Sequence, residues 1–459
     1  MRFIHTAMVR LIVVPMLAVL VMAALLSGRH RYRDTHHRGA TIKDGRRAQR
    51  RATRLKRRHA STVLTFAGVH IGPEEETRHF KLIGATGAGK STAIRELLWG
   101  ALARGDRAVV ADPHGSYRAR FLDCRRGDVI LNPFEPGSVK WNPFAELSAP
   151  GDAEHLAASL IPMSEYAPDR EWRAYARTFL TAVLRRCHEG GRDTAELWRL
   201  IAIASSAELS ALVHGTPAQP FLEPENARMF GSIRSVAVSA AAALEHVSMQ
   251  RARAFSVRSW TRQGRGVLFL PYQAGQVAAL RSLIASWVRL AVFETMSEER
   301  DHRLWFIVDE LDALGAIDGL KDALARLRKF GGRCVLGMQS IAQISSTYGP
   351  GDSQTIIENC GNTLLLRCSA SERGGTSQFC SRLIGEEQVV RRSMSRGRDG
   401  LGGFGPAARG ARRSVQVSEQ RVTEAAVLAS EIEQLADLEG YLKTASSPVW
   451  LRLRLPRVA

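Results

Sequence analysis

Residues 80–98 read Phe80-Lys81-Leu82-Ile83-Gly84-Ala85-Thr86-Gly87-Ala88-Gly89-Lys90-Ser91-Thr92-Ala93-Ile94-Arg95-Glu96-Leu97-Leu98. Gly84 to Ser91 fit G-x-x-x-x-G-K-[ST], the pattern of a phosphate-binding loop. The glycines let backbone N–H groups approach phosphate oxygens, Lys90 is placed to reach the β- and γ-phosphates, and the Ser91 hydroxyl is placed to ligate Mg²⁺. The flanks fit the same reading. Phe80–Ile83 has the continuous apolar character of a buried strand, and Thr92–Leu98 opens a helix whose N-terminus faces the phosphates. A chance glycine turn would need neither flank. The stretch therefore predicts ATP with Mg²⁺, held by Gly84, Ala85, Thr86, Gly87, Ala88, Gly89, Lys90, Ser91 and Thr92.

The chain has 459 residues, enough for about two or three domains of ~150 residues. Its net charge of +19 is uneven. Residues 1–60 hold 15 Lys/Arg against 2 acids, a net of +13, which leaves +6 for the other 399. Arginine supplies 56 of the 64 basic residues, which suits phosphate contact and equally suits a GC-rich coding bias. Six cysteines, at 124, 187, 334, 360, 368 and 380, form no C-x-x-C and read as buried thiols.

Leu11 to Gly28 is an uncharged, largely apolar run of 18 residues, which rises about 27 Å as a helix and matches a hydrocarbon core. Two basic residues precede it and thirteen follow between Arg29 and Arg58, so the positive-inside bias puts the C-terminal side in the cytoplasm. A cleaved signal peptide is the competing reading; a domain that consumes ATP favours a retained single anchor. The basic run serves to orient the helix, to grip anionic lipid, or to touch nucleic acid.

Beyond residue 60, short apolar runs alternate with helical stretches: Thr62–Phe66, Phe80–Ile83, Ala108–Ala111, Asp128–Leu131, Val267–Leu270, Leu304–Val308, Cys334–Met338 and Thr363–Leu366. Such runs predict buried parallel strands in a doubly wound α/β sheet. Residues 146–255 break the alternation with helical patterns alone and predict an all-α domain inserted into the α/β domain, which is then made of 61–145 and 256–459, after an N-terminal segment 1–60. Arg391–Arg413, rich in Gly, Arg and Ser, is too polar to order itself by burial and reads as a solvated hairpin, a loose loop, or a nucleic-acid contact.

A phosphate loop needs acidic partners. The strand Leu304–Val308 runs into Asp309-Glu310: the Asp is placed to hold the Mg²⁺ shell and the Glu to polarise the attacking water. Two carboxylates at the end of a buried strand are costly without a cation, although a helix-capping pair has the same sequence. Asp112 ends a neighbouring strand, where either a ligand contact or a turn before Pro113 explains it. Gln339 ends another and is placed to sense the γ-phosphate. Arg328, on the helical stretch Gly319–Phe330, is either solvated or offered to a nucleotide on a neighbouring subunit.

Taken together, RHFKLIGATGAGKST (78–92), ADPHG (111–115), WNPF (141–144), FSVRSW (255–260), LWFIVDEL (304–311), LARLRKFGGRCVLGMQSIAQ (324–343) and SEIEQLADLEGYLK (430–443) resemble the type IV coupling proteins of conjugation and type IV secretion, the TraD-like DNA-pumping ATPases. The resemblance covers about residues 60–455. It implies a RecA-like P-loop domain with an inserted all-α domain and an N-terminal transmembrane helix. A homo-hexamer in the bacterial inner membrane would present its soluble part to the cytoplasm. The implied activity is ATP hydrolysis coupled to passage of DNA, single-stranded in the first instance and of any sequence, toward a secretion channel and in contact with the relaxase complex. By motif position Lys90, Ser91, Asp309 and Glu310 look like the nucleotide, Mg²⁺ and acidic residues, Gln339 like the sensor, and Arg328 and Arg78 like basic residues offered to the adjacent subunit. Many members carry two transmembrane helices and an extended C-terminal tail, where one helix and no such tail are read here. A membrane receptor that recruits protein cargo without driving DNA, or a translocase for chromosome segregation or repair, are the alternatives.

Overall fold

The computed structural model describes residues 35–59, 63–163, 167–298, 303–370, 375–398 and 413–457, so the predicted span 11–28 lies outside the described residues. Among the described residues no helix is long and apolar enough to cross a membrane. Contacts divide the chain into two compact units.

The larger unit, residues 42–383 and 428–459, is built on a ten-stranded sheet. Across it the strands run Thr41–Asp44, Val449–Arg454, Glu439–Lys443, Asn362–Leu365, Phe80–Ile83, Gly332–Met338, Leu304–Val308, Arg107–Pro113, Val267–Tyr272 and Val129–Ile130. From Asn362–Leu365 to Val129–Ile130 every pairing is parallel. Two antiparallel strands, Glu439–Lys443 and Val449–Arg454, extend the edge. The parallel strands are buried along their length because helices cover both faces, which is why they read as unbroken apolar runs. The helix Lys90–Ala103 buries Ala93, Ile94, Leu97, Leu98 and Ala101, a 3.6-residue stripe, against Phe80, Leu82, Trp305 and Ile307. Thr62–Phe66, expected as a first sheet strand, is shorter and pairs elsewhere: Thr65–Phe66 forms a hairpin with Val69–His70.

One consequence of the strand order governs the site. The strand ending at Gln339 lies between the strand that feeds the phosphate loop and the strand that ends at Asp309. Met338 pairs with Ile83, and Leu336 pairs with Val308. Three carboxyl ends therefore converge on one edge, where open α/β sheets bind their ligands.

The inserted helices are Asp152–Leu160, Ala167–Glu189, Thr194–Ala202, Ser206–Val213, Ala227–Ala241 and Ala243–Met249. Asp193 accepts from the Glu196 N–H, and Ser205 accepts from the Glu208 N–H, each capping the helix it precedes. Phe179 and Phe230 meet edge-to-face at 5.2 Å in their core. The two ends of the insertion are stapled together. Lys140–Trp141 pairs in parallel with Ala254–Phe255, and buried Glu146 accepts from Trp141 Nε1 (2.9 Å) and from the Val257 N–H (2.7 Å).

The basic run Arg46–Arg58 is a helix. It buries Ala52, while Gln49 donates to the carbonyls of Ala67 (3.0 Å) and Arg454 (2.8 Å). Arg46, Arg47, Arg50, Arg51, Arg54, Arg57 and Arg58 stay exposed.

The smaller unit, residues 1–41 and 384–427, is a three-stranded antiparallel sheet of Thr35–Gly39, Glu386–Arg398 and Arg413–Ala425. Most of the stretch expected to be loose thus lies outside the described residues or on paired strands. Cross-strand pairs hold the hairpin: Arg391 with Glu424 and Arg392 with Glu419, both at 2.7 Å, and the Ser393 and Ser418 hydroxyls at 2.6 Å. Backbone pairing orders what side-chain burial does not. Of the cysteines expected to be buried, Cys124 is exposed and the other five are buried.

Candidate nucleotide site

The loop after Phe80–Ile83 enters the helix Lys90–Ala103 through Gly89, at φ +119°, a left-handed conformation that a Cβ would strain. A Cβ on Gly89 would also come within 2.9 Å of the Leu438 side chain. Leu438 braces the loop by donating its N–H to Ala88 O (3.0 Å), so the C-terminal segment supports the cradle.

The predicted loop residues divide into two groups. The Gly84 N–H goes to Met338 O (3.1 Å) and the Ala85 N–H to Arg367 O (2.7 Å), so these two amides fix the loop to the sheet and do not face a ligand. Thr86, Gly87 and Gly89, by contrast, have no acceptor for their amides among the described residues. Lys90, 7% exposed, turns its ammonium back across the hollow to Gly84 O (2.7 Å) and Ala85 O (3.3 Å). Burial lowers its pKa; the nearby charges of Asp309 and Glu310 oppose that shift.

Ser91 Oγ donates to Asp309 Oδ2 at 2.6 Å. Two residues 218 positions apart thus close one cleft. Asp309 is 4% exposed, and its Oδ1 is buried with no hydrogen-bond partner among the described residues. A buried carboxylate oxygen without a donor is expensive, and a hydroxyl beside it completes an all-oxygen donor set suited to a hard divalent cation. The residues present fit Mg²⁺.

Glu310 lies beside Asp309, half-buried. Its Oε1 accepts from Gln339 Nε2 (3.1 Å), and Gln339 Oε1 accepts from Thr86 Oγ1 (3.2 Å), which links the acid to the phosphate loop. Burial raises the Glu310 pKa, and the charges of Asp309 and Asp312 raise it further, whereas His114 and Lys90 lower it. The approach of the Gln339 strand to the acidic strand requires Gly337: a Cβ there would stand 2.0 Å from Asp309 O.

Sequence reasoning missed several contributors. Tyr117 donates its hydroxyl to Asp309 Oδ2 (2.8 Å). Tyr272, buried, has a hydroxyl with no partner among the described residues; burial raises its pKa, and the carboxylates of Glu310, Asp309 and Asp112 raise it further. Asp112 itself caps the turn Ser116–Phe121, accepting from the Tyr117 N–H (2.9 Å) and the Arg118 N–H (2.7 Å). Burial pushes its carboxyl to about 6. The turn-forming reading of Asp112 is therefore the observed one. A faint signal did exist in the sequence: a lone glycine within Cys334–Met338 marks a close backbone approach.

Arg78 and Arg328 are not part of this cleft. They line a separate cavity of about 620 Å³ with His79, Lys81, Lys443 and Trp450. It lies at the amino-terminal end of Phe80–Ile83, a strand's length of about 13 Å from the loop that follows.

Residues 63–456 match the family profile described as the type IV secretion-system coupling protein DNA-binding domain. Coupling protein TraD of Escherichia coli (strain K12) is 27% identical over 401 residues, covering 85% of this chain and 54% of that protein. The chain thus spans about half the length of that relative. The plasmid coupling protein TrwB in complex with ADP and Mg²⁺ superposes with a TM-score of 0.79 at 29% identity, covering 93% of this chain and 95% of the other. TrwB in complex with a non-hydrolysable ATP analogue gives 0.79 at 30% identity, with the same coverage. The fold is accordingly a RecA-like α/β nucleoside-triphosphatase domain with an inserted helical domain. On the profile match across most of its length, the chain belongs to the type IV secretion-system coupling protein family.

Proposed function

We propose that this chain is a membrane-anchored ATPase that couples ATP hydrolysis to transfer of DNA through a type IV secretion or conjugation channel. The single observation that carries the reading is the Ser91–Asp309 contact of 2.6 Å with Asp309 Oδ1 left unpartnered. Ser91 and Asp309 would hold Mg²⁺, while Lys90 and the free amides of Thr86, Gly87 and Gly89 would hold the phosphates. Bound Mg²⁺ supplies neutralisation of the charge on the transferring phosphoryl group. Glu310 takes up the proton of the attacking water at its carboxylate, and Gln339 keeps that carboxylate aligned with the loop. The bound ADP, Mg²⁺ and ATP analogue of the TrwB structures support these assignments.

The remote cavity supports a ring. Arg78 and Arg328 are too far from their own phosphate loop to serve it, and a neighbouring copy's nucleotide is the natural counter-charge, in a homo-hexamer. The apolar run 11–28 would anchor the ring in the bacterial inner membrane with the soluble part in the cytoplasm. The exposed arginines of Arg46–Arg58, on the ATPase unit and separated from that run by 17 residues, would then rest on lipid phosphates. The relaxase complex and the secretion channel are the implied partners.

The test is the ATPase rate of the full chain with and without single- and double-stranded DNA at rising salt. DNA is expected to stimulate hydrolysis, and the DNA concentration giving half-stimulation should rise by about tenfold or more between about 50 and 200 mM salt, because phosphate contacts release counterions. Stimulation that ignores salt would rule out backbone contact, and hydrolysis indifferent to DNA would favour a cargo receptor.

A further inference from the structure

We propose that Tyr117 is a positioning residue for the metal-binding carboxylate of Asp309. The proposal rests on the reading of Ser91 and Asp309 as the Mg²⁺-holding pair. Asp309 Oδ2 accepts two hydroxyls, from Ser91 (2.6 Å) and Tyr117 (2.8 Å), whereas Oδ1 accepts none. The carboxylate is therefore held by one oxygen, while the other is buried with no donor among the described residues. Ser91 belongs to the cation's own donor set, where its one proton can go to Asp309 while a lone pair would serve the cation. Tyr117 is the donor outside that set: its ring is fully buried and its hydroxyl has Asp309 as its acceptor.

Three features fix the phenol where it is needed. Asp112 Oδ1 accepts from the Tyr117 N–H at 2.9 Å and sets the start of the turn Ser116–Phe121. Gly115, at φ +67°, makes the left-handed entry to that turn. The guanidinium of Arg95, on the helix that follows the phosphate loop, lies over the ring at 5.8 Å from its centroid. The path Asp112–Tyr117–Asp309 thus ties the end of the strand Arg107–Pro113 to the acidic strand beside it. A ligand carboxylate oriented by a buried donor is the usual second layer of a metal site, and loss of such a donor costs roughly ten- to a hundredfold in metal affinity. It also gives the ADPHGSY tract (111–117) a role at the site that its distance in sequence from Asp309 conceals.

The experiment is a Mg²⁺ titration of the full chain, read by binding of a fluorescent N-methylanthraniloyl ATP, for the wild type, Tyr117→Phe and Tyr117→Met. Each variant removes the hydroxyl with a different side chain, and its thermal unfolding curve reports whether it is folded. The expected result is that the Mg²⁺ concentration for half-maximal binding rises roughly tenfold or more in both variants, while nucleotide affinity in excess EDTA stays at the wild-type value. An unchanged Mg²⁺ midpoint in either folded variant overturns the proposal. So does a parallel loss of affinity in EDTA, which would make Tyr117 a packing residue only. If the wild type itself binds the nucleotide without dependence on Mg²⁺, the reading of Ser91 and Asp309 as the Mg²⁺-holding pair falls and not this inference alone.

Discussion

Glu310→Gln is expected to leave ATP bound and to stop its hydrolysis. The substitution keeps size and hydrogen-bonding reach, so Gln339 Nε2 retains an acceptor at position 310. What is lost is a carboxylate able to take a proton, and a positioned general base contributes about 10²–10⁴-fold. A kcat reduced by that factor with an unchanged Kd for the fluorescent nucleotide is the outcome that fits. Residual turnover within about threefold of wild type would assign the base elsewhere. If DNA transfer in a mating assay survived the substitution while hydrolysis did not, the cargo-receptor reading would replace the motor.

The same carboxylate sets a pH limit. Only its ionised form is a base, and burial together with Asp309 and Asp312 raises its pKa above the ordinary carboxylate range. The acid limb of kcat/KM, which reports the free enzyme, should therefore fall at a higher pH than an exposed glutamate would give. Asp312→Asn removes one of the charges that raise it and should move the limb toward lower pH. The limb of kcat should also sit lower than that of kcat/KM, because a bound cation beside Asp309 favours the ionised form. Identical limbs in wild type and Asp312→Asn would show that some other group is being titrated.

The chemistry of the site was legible in the sequence wherever it lies on consecutive residues. Gly84 to Ser91 and Asp309-Glu310 each carry their own signature, and the buried parallel strands before them left unbroken apolar runs. That Asp309 meets Ser91 needed the order of strands, which apolar runs do not encode. Tyr117 was illegible because its function depends on a contact 192 positions away. The short strand Thr35–Gly39 escaped because its burial pattern is wholly exposed, with no period to detect. The helix Arg46–Arg58 looked like a bare charge run: its apolar Ala48, Ala52 and Leu55 make only a narrow stripe among eight basic side chains. The cavity brings together residues 250 positions apart: Arg328, which its place on a helical stretch had offered to a neighbouring subunit, and Arg78, which the family resemblance alone had singled out.

Glu76 left no trace in the sequence either, yet its replacement should have the largest effect on stability. The side chain is 1% exposed and lies where several strands begin. It accepts from Arg104 Nη1 (2.6 Å) and Nη2 (2.8 Å) and from Arg333 Nε (2.9 Å). Arg104 also bonds Asp106, which in turn accepts from Trp305 Nε1 at 2.9 Å, and the Arg333 guanidinium lies over the Trp305 ring. Among the described residues, Glu76, Asp106, Arg104 and Arg333 thus form a nearly dry cluster that ties the strands Arg107–Pro113, Leu304–Val308 and Gly332–Met338 to the segment preceding the phosphate-loop strand. Glu76→Ala removes the buried carboxylate that Arg104 and Arg333 both bond, and breaking such a buried cluster from one side costs about 3–5 kcal/mol. The exposed pair of Arg185 and Glu154 is the control, since Arg185→Ala should cost at most about 1 kcal/mol. Denaturant unfolding of the full chain distinguishes the two. The double variant Glu76→Leu with Arg333→Met removes both charges and should regain much of the loss, because buried ion pairs are often replaceable by apolar side chains of similar volume. If Glu76→Ala proved no worse than Arg185→Ala, water must reach the cluster. If the double variant were worse than the single, the strand ends would depend on the polarity of the cluster and not merely on its neutrality.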